Sequence, residues 1–221
     1  MVRRGRQGQA GRELSRRDRP GAVHDGHGGS RGRRRATSTA LAALGLLLPV
    51  AVGVGIYLFG TLHTPNYNSG LYGAHGVAAV DLKARLGTVL LGLAVIQLAL
   101  AAWMYGRLPG TGPAPRPVRL GHRALGFFLF LFSLPIAYHC LVTYGIETSS
   151  PRVAVHSFTG CAFYGAFVAK VLVVRSRRLP GVLLPVVGSL LVLGVALLWY
   201  TAPLWALNGD HAPGFSTVGP V

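Results

Sequence analysis

Two histidines, His139 and His156, each stand inside a long apolar run, and a short polar turn, Glu147-Thr148-Ser149-Ser150-Pro151-Arg152, joins the two runs. If both runs are transmembrane helices, each histidine lies about eight to nine residues from the centre of the turn. At about 1.5 Å rise per residue, both imidazoles then sit roughly 13 Å from it, level with each other on neighbouring helices. Ionisable side chains at membrane depth are costly and are functional candidates by default. Two imidazole nitrogens at one depth could hold the iron of a single b-type haem between them. Gly160 follows His156 by one helical turn, on the same face, where it gives a flat macrocycle or another helix room to approach. Pro135 could bend the first of the two helices just before His139, and Phe132, Phe158, Phe163 and Tyr164 offer aromatic lining. His139, His156 and Gly160 are therefore the candidate haem site. Two other readings stay open: a different metal or a proton-handling role, and a structural one. In the structural one each ring bonds a neighbouring carbonyl or hydroxyl and the small residues serve helix packing.

Weaker candidates surround this pair. His122 precedes His139 by about 17 residues, roughly 25 Å along a helix, which could mark a second site near the opposite membrane face. It has no evident histidine partner there. Met104 is a weakly signalled ligand for it, and Lys170 could meet a haem propionate only at such a second site; otherwise it snorkels. His63 and His75, in a polar loop before the second span, could bind a metal or replace one of the pair. Gln97 reads as a hydrogen bond across the bundle.

These residues need membrane-spanning elements to position them, and the composition supplies them. Of 221 residues, 51% are hydrophobic and 13% charged, against about 25% charged in a soluble domain. Apolar runs at about 39–62, 86–105, 123–144, 153–174 and 182–204 are each long enough to cross a bilayer. The expected fold is all-α: a five-span transmembrane helix bundle over 38–206, preceded by a disordered basic tail over 1–37 and followed by a short tail over 207–221. The first run reads as an uncleaved span, because Gly60-Thr61-Leu62-His63 makes a poor cleavage site. Arg16-Arg17 lies about twenty residues before that run, too far for a twin-arginine signal. Cys140 and Cys161 would be offset by roughly 9 Å along their helices, which excludes a bond between them.

The net charge of +16 includes eleven arginines between Arg3 and Arg35. No aromatic residue interleaves them as a nucleic-acid stacking platform would, so they read as a topogenic and lipid-touching segment. In a five-span topology this tail, the 106–123 linker and the 175–178 joint fall on one side, and all are basic. The positive-inside rule makes that side cytoplasmic. The N-terminus is then inside and the C-terminus outside a bacterial plasma membrane, and His139 and His156 lie in the outer half.

The segments Leu82-Lys83-Ala84-Arg85-Leu86, Gly121-His122-Arg123-Ala124-Leu125-Gly126, Pro135-Ile136-Ala137-Tyr138-His139-Cys140 and Arg152 to Lys170 resemble a family of uncharacterised actinobacterial multi-pass membrane proteins, over about residues 40–205. The layout of histidines on adjacent spans is more loosely similar to cytochrome b561 and ferric-reductase-type membrane domains. That resemblance implies paired histidines holding b-type haem, and electron transfer with an unidentified redox or membrane protein partner. It departs from two-haem versions in lacking a second inner histidine. The sequence carries no phosphate-binding glycine loop, no Ser–His–Asp arrangement and no CxxC site. No segment outside the spans is large enough for a flavin or nicotinamide, so electrons would come from a separate donor. The competing expectation is a non-enzymatic scaffold or accessory subunit with structural histidines.

Overall fold

The computed structural model describes residue 45, residues 47–176 and residues 180–215. The basic tail, the start of the first run, Arg177, Arg178 and the last six residues fall outside them. Among the described residues the regular structure is helical: α1 (Leu47–Leu62), α2 (Gly76–Met104), α3 (Arg116–Tyr144), α4 (Pro151–Arg175), α5 (Leu183–Thr201) and a short α6 (Pro203–Leu207). The protein is an all-α integral membrane bundle. The four segments α2, α3, α4 and α5–α6 are each long and apolar enough to cross a bilayer, and α1 is a shorter apolar helix whose run continues upstream. Large apolar side chains such as Phe127, Phe128, Phe132, Val186 and Leu193 stay exposed on the helix surfaces, as expected of faces solvated by lipid tails.

Two helices begin earlier than hydropathy implies. The second apolar run starts near Leu86, yet α2 starts at Gly76, so the polar loop after α1 ends at His75. Asp81, Lys83 and Arg85 lie on the first turns of α2, where Asp81 and Arg85 form an i,i+4 ion pair of 3.7 Å. The helix has 29 residues, roughly 43 Å at 1.5 Å per residue, against a hydrocarbon core of about 30 Å. The excess length leaves room for charged turns at its first end. The third span likewise starts at Arg116, seven residues before Arg123, with Pro117 in the first turn where its missing N–H costs nothing. Ser150 caps α4 by accepting from Val153 N at 3.4 Å, and Pro151 follows it. The last crossing is broken in two: at Pro203 the chain has no N–H to continue α5, so α6 starts at a new angle.

Close packing joins α2 to α3, α5 and α6, and α4 to α5. On its other side α4 packs on α1, backbone to backbone. A Cβ at Gly165 would lie 2.6 Å from Pro49 O, and one at Gly53 would lie 3.2 Å from Cys161 O. By contrast, large rings bridge α3 and α4: Phe130 stacks on Phe167 at 4.0 Å, and Tyr164 OH donates to Ser133 Oγ at 3.0 Å. The α3–α4 turn is sewn to α1 by Ile146 N donating to Gly60 O at 3.0 Å. Gly145 makes that turn with φ +68, a conformation L side chains rarely adopt. Hereafter the end of the bundle holding this turn is the turn end, and the end holding the α2–α3 connection is the linker end.

The substitution Gly165→Ala is expected to cost about 1–3 kcal/mol through overpacking. Gly92→Ala, in α2 with open space around it, should be neutral or stabilising by up to about 1 kcal/mol. Thermal unfolding of the two variants in detergent micelles should move the midpoint in opposite directions, or down for Gly165→Ala alone.

Candidate functional site

The two central histidines are equally spaced from the α3–α4 turn. His139 is five residues before the last residue of α3, and His156 five residues after the first residue of α4. Both have the Lys83 ammonium as an electrostatic neighbour, which puts them in one region of the turn end. Their hydrogen bonds go to different elements. His156 Nδ1 lies 3.0 Å from Thr201 Oγ1, at the end of α5. That hydroxyl donates its own hydrogen to Leu197 O at 2.7 Å, so it receives the Nδ1–H of His156. With the hydroxyl's hydrogen on Leu197 O, the His156 donor is Nδ1–H, the tautomer that leaves the lone pair on Nε2. The backbone of Leu198 is a further hydrogen-bond partner of the ring. Thr201 is fully buried.

His139, 3% exposed, faces the loop between α1 and α2. Its Nε2 lies 3.1 Å from Ser69 O, and a carbonyl only accepts, so here Nε2 is the protonated nitrogen. Thr143, one turn on, places its hydroxyl 3.4 Å from each ring nitrogen and 3.0 Å from Ser69 Oγ. The loop is further tied to α3 by Asn66 N donating to Val142 O at 2.9 Å.

Cations frame both rings. The Lys83 ammonium lies 4.4 Å from the centre of the Tyr144 ring, and the Arg152 guanidinium lies 4.0 Å from the centre of the Trp205 ring. Arg152 Nη1 also donates to Thr201 O at 2.5 Å, so Arg152 and His156 fasten the same residue of α5. Neither cation forms an ion pair among the described residues. Gly160 lies towards α5: a Cβ there would meet only Leu198 Cδ2, at 3.9 Å. Helix packing therefore needs a glycine at Gly165, whereas at Gly160 a Cβ would make ordinary contact with α5.

The outlying candidates are dispersed. His75 Nδ1 bonds Asn68 O at 3.1 Å, and its ring covers Gly70. His63 stacks on Phe59 at 5.3 Å and, among the described residues, keeps a buried Nε2 without a partner. At the linker end, Gln97 bridges α2 to α3 by donating to His122 O at 2.8 Å. Among the described residues Gln97 Oε1 and His122 Nδ1 are buried there without partners, and Lys170 is an electrostatic neighbour of His122. Met104 is surface-exposed and lines the α2–α3 connection, away from Gln97 and His122. Among the described residues no group of three or more His, Cys, Asp or Glu is placed to hold a metal ion. Cys140 and Cys161 are free thiols.

Sequence reasoning missed Thr201, Ser69, Thr143 and the positions of Lys83 and Arg152. One signal was present: Thr201 is a lone polar residue at the turn end of its apolar run, two residues before Pro203. The sequence profile of a protein family described as a family of unknown function (DUF6529) matches residues 41–214. No curated protein matches the chain, and no solved structure does.

The substitution Thr201→Val removes the acceptor of His156 Nδ1–H and leaves a buried donor unpaired, which costs about 1–3 kcal/mol. Thr201→Ser keeps the hydroxyl and should recover most of it. Thermal midpoints of the two variants in the same detergent test this; equal midpoints would mean that the bond is not formed.

Proposed function

The chain belongs to that family, DUF6529, and we propose that it is a membrane-embedded carrier of one b-type haem, which His139 and His156 would hold. The reading rests above all on the His156–Thr201 bond. It holds the imidazole as a ligating residue needs it, with Nδ1–H given to a protein oxygen and Nε2 left as a base. Three further features support the reading. Each histidine is five residues from the α3–α4 turn end of its helix, a Cβ at Gly160 would clash with nothing, and Lys83 and Arg152 supply positive charge suited to propionates. When bound, a bis-histidine haem supplies a one-electron carrier. The chain's own residues orient the rings, exclude water and balance charge.

At His139 the same role has a condition. Its Nε2–H must leave Ser69 O, and Thr143 Oγ1, equidistant from both ring nitrogens, is the available acceptor for Nδ1–H. Ligation would therefore release the loop carbonyl and couple haem binding to the 63–75 segment. This is also where a second reading has support. With His139 holding Ser69 and His156 holding Thr201, the two rings can serve purely as fasteners of an accessory membrane subunit. In either reading the basic α2–α3 connection faces the cytoplasm of a bacterial cell, by the positive-inside rule. The carrier reading adds a redox partner at the opposite face.

Protein expressed with ample haem and purified in detergent is expected to show a Soret band and a reduced-minus-oxidised spectrum of a six-coordinate b-type haem. His156→Ala and His139→Ala should each abolish that spectrum. Thr201→Val should weaken haem retention by roughly 10- to 100-fold, as losing the hydrogen bond that orients a ligating histidine does. A colourless protein whose stability falls on either histidine substitution would establish the fastener reading instead.

A further inference from the structure

We propose that the α2–α3 connection is a seat for the phosphate headgroup of an anionic phospholipid. The connection borders a surface-open cavity of about 430 Å³ lined in part by Trp103, Met104, Thr111, Pro113 and Arg119. Its walls are held by their own hydrogen bonds. Trp103 Nε1 donates to Gly112 O at 3.0 Å, Thr111 Oγ1 to Leu108 O at 2.8 Å, and Arg119 Nη1 to Ala114 O at 3.1 Å. That last bond orients the guanidinium while leaving most of its five N–H donors unused, in the planar fork that matches phosphate oxygens.

The charge around the cavity is of one sign. No acidic residue occurs between Asp81 and Glu147, whereas Arg107, Arg116, Arg119 and Arg123 all fall in or beside the connection. None of the four has a carboxylate partner among the described residues. The height of the cavity selects a lipid over a soluble anion. It lies where α2 ends at Met104 and α3 begins at Arg116, at the boundary between the apolar crossings and water. Trp103 and Met104 give it an apolar wall against which glycerol and the upper acyl chains can rest, and an indole suits that boundary. A phosphate held by Arg119 would stand at headgroup level with its chains continuing down the α2–α3 surface.

The full chain, purified in neutral detergent, would be titrated with phosphatidylglycerol or phosphatidylcholine in mixed micelles, with bound lipid read by native mass spectrometry. Retention of phosphatidylglycerol over phosphatidylcholine is expected. Arg119→Gln should weaken it about fivefold, the loss of one interfacial charge. Arg119→Lys should lose less, and Arg85→Gln, at the turn end, nothing. Equal retention of the two lipids, or an Arg119→Gln protein that binds like the parent, would overturn the proposal. Displacement of phosphatidylglycerol by equimolar inorganic phosphate would overturn it in favour of a soluble anion.

Discussion

Hydrocarbon offers no hydrogen bonds, so every polar group carried into the membrane must find its partner inside the protein. That constraint organises the bundle. Many of its polar side chains gather near the two ends of the crossings, with the Ser133–Tyr164 pair between them. At the turn end are His139, Thr143, Lys83, Arg152, His156 and Thr201, with Ser69 reaching in from the loop. At the linker end are Gln97, His122 and Lys170. The turn-end group is almost fully satisfied. The linker-end group leaves Gln97 Oε1 and His122 Nδ1 without partners among the described residues.

Packing follows from what lies between the helices. Where α1 meets α4, glycines let backbones touch: Gly165 against Pro49 and Gly53 against Cys161. Where α3 meets α4, Phe130, Phe167 and Tyr164 fill the gap with rings. Gly160 resembles the packing glycines in sequence, yet an added Cβ there would touch only the tip of Leu198. Its small size is not required by contact with α5, unlike that of Gly165 against Pro49.

The five apolar helices and the equal spacing of His139 and His156 from their shared turn were legible in the sequence, because run length and distance from a turn are counted directly along the chain. The helix starts were not. Hydropathy stops at Asp81-Leu82-Lys83-Ala84-Arg85 and again at Arg116–Arg123, but a helix continues unhindered through charged residues that sit outside the hydrocarbon. The partners of the histidines were not legible either. Ser69 and Thr201 are 70 and 45 residues away from the rings they bind, and sequence spacing cannot report which face of a helix meets which neighbour. Sequence spacing therefore placed the two rings at equal distances from the turn, while only the fold revealed that one is held by α5 and the other by a loop.

The account turns on the Thr201 hydroxyl fixing His156 with its proton on Nδ1. The most direct measurement is the nitrogen-15 spectrum of histidine-labelled protein prepared without haem, with the His156 signals assigned by their loss in His156→Asn. A protonated Nδ1 and an unprotonated Nε2 are expected. A proton on Nε2 would contradict the account, because the hydroxyl could then not be the acceptor and no lone pair would stand ready for a metal.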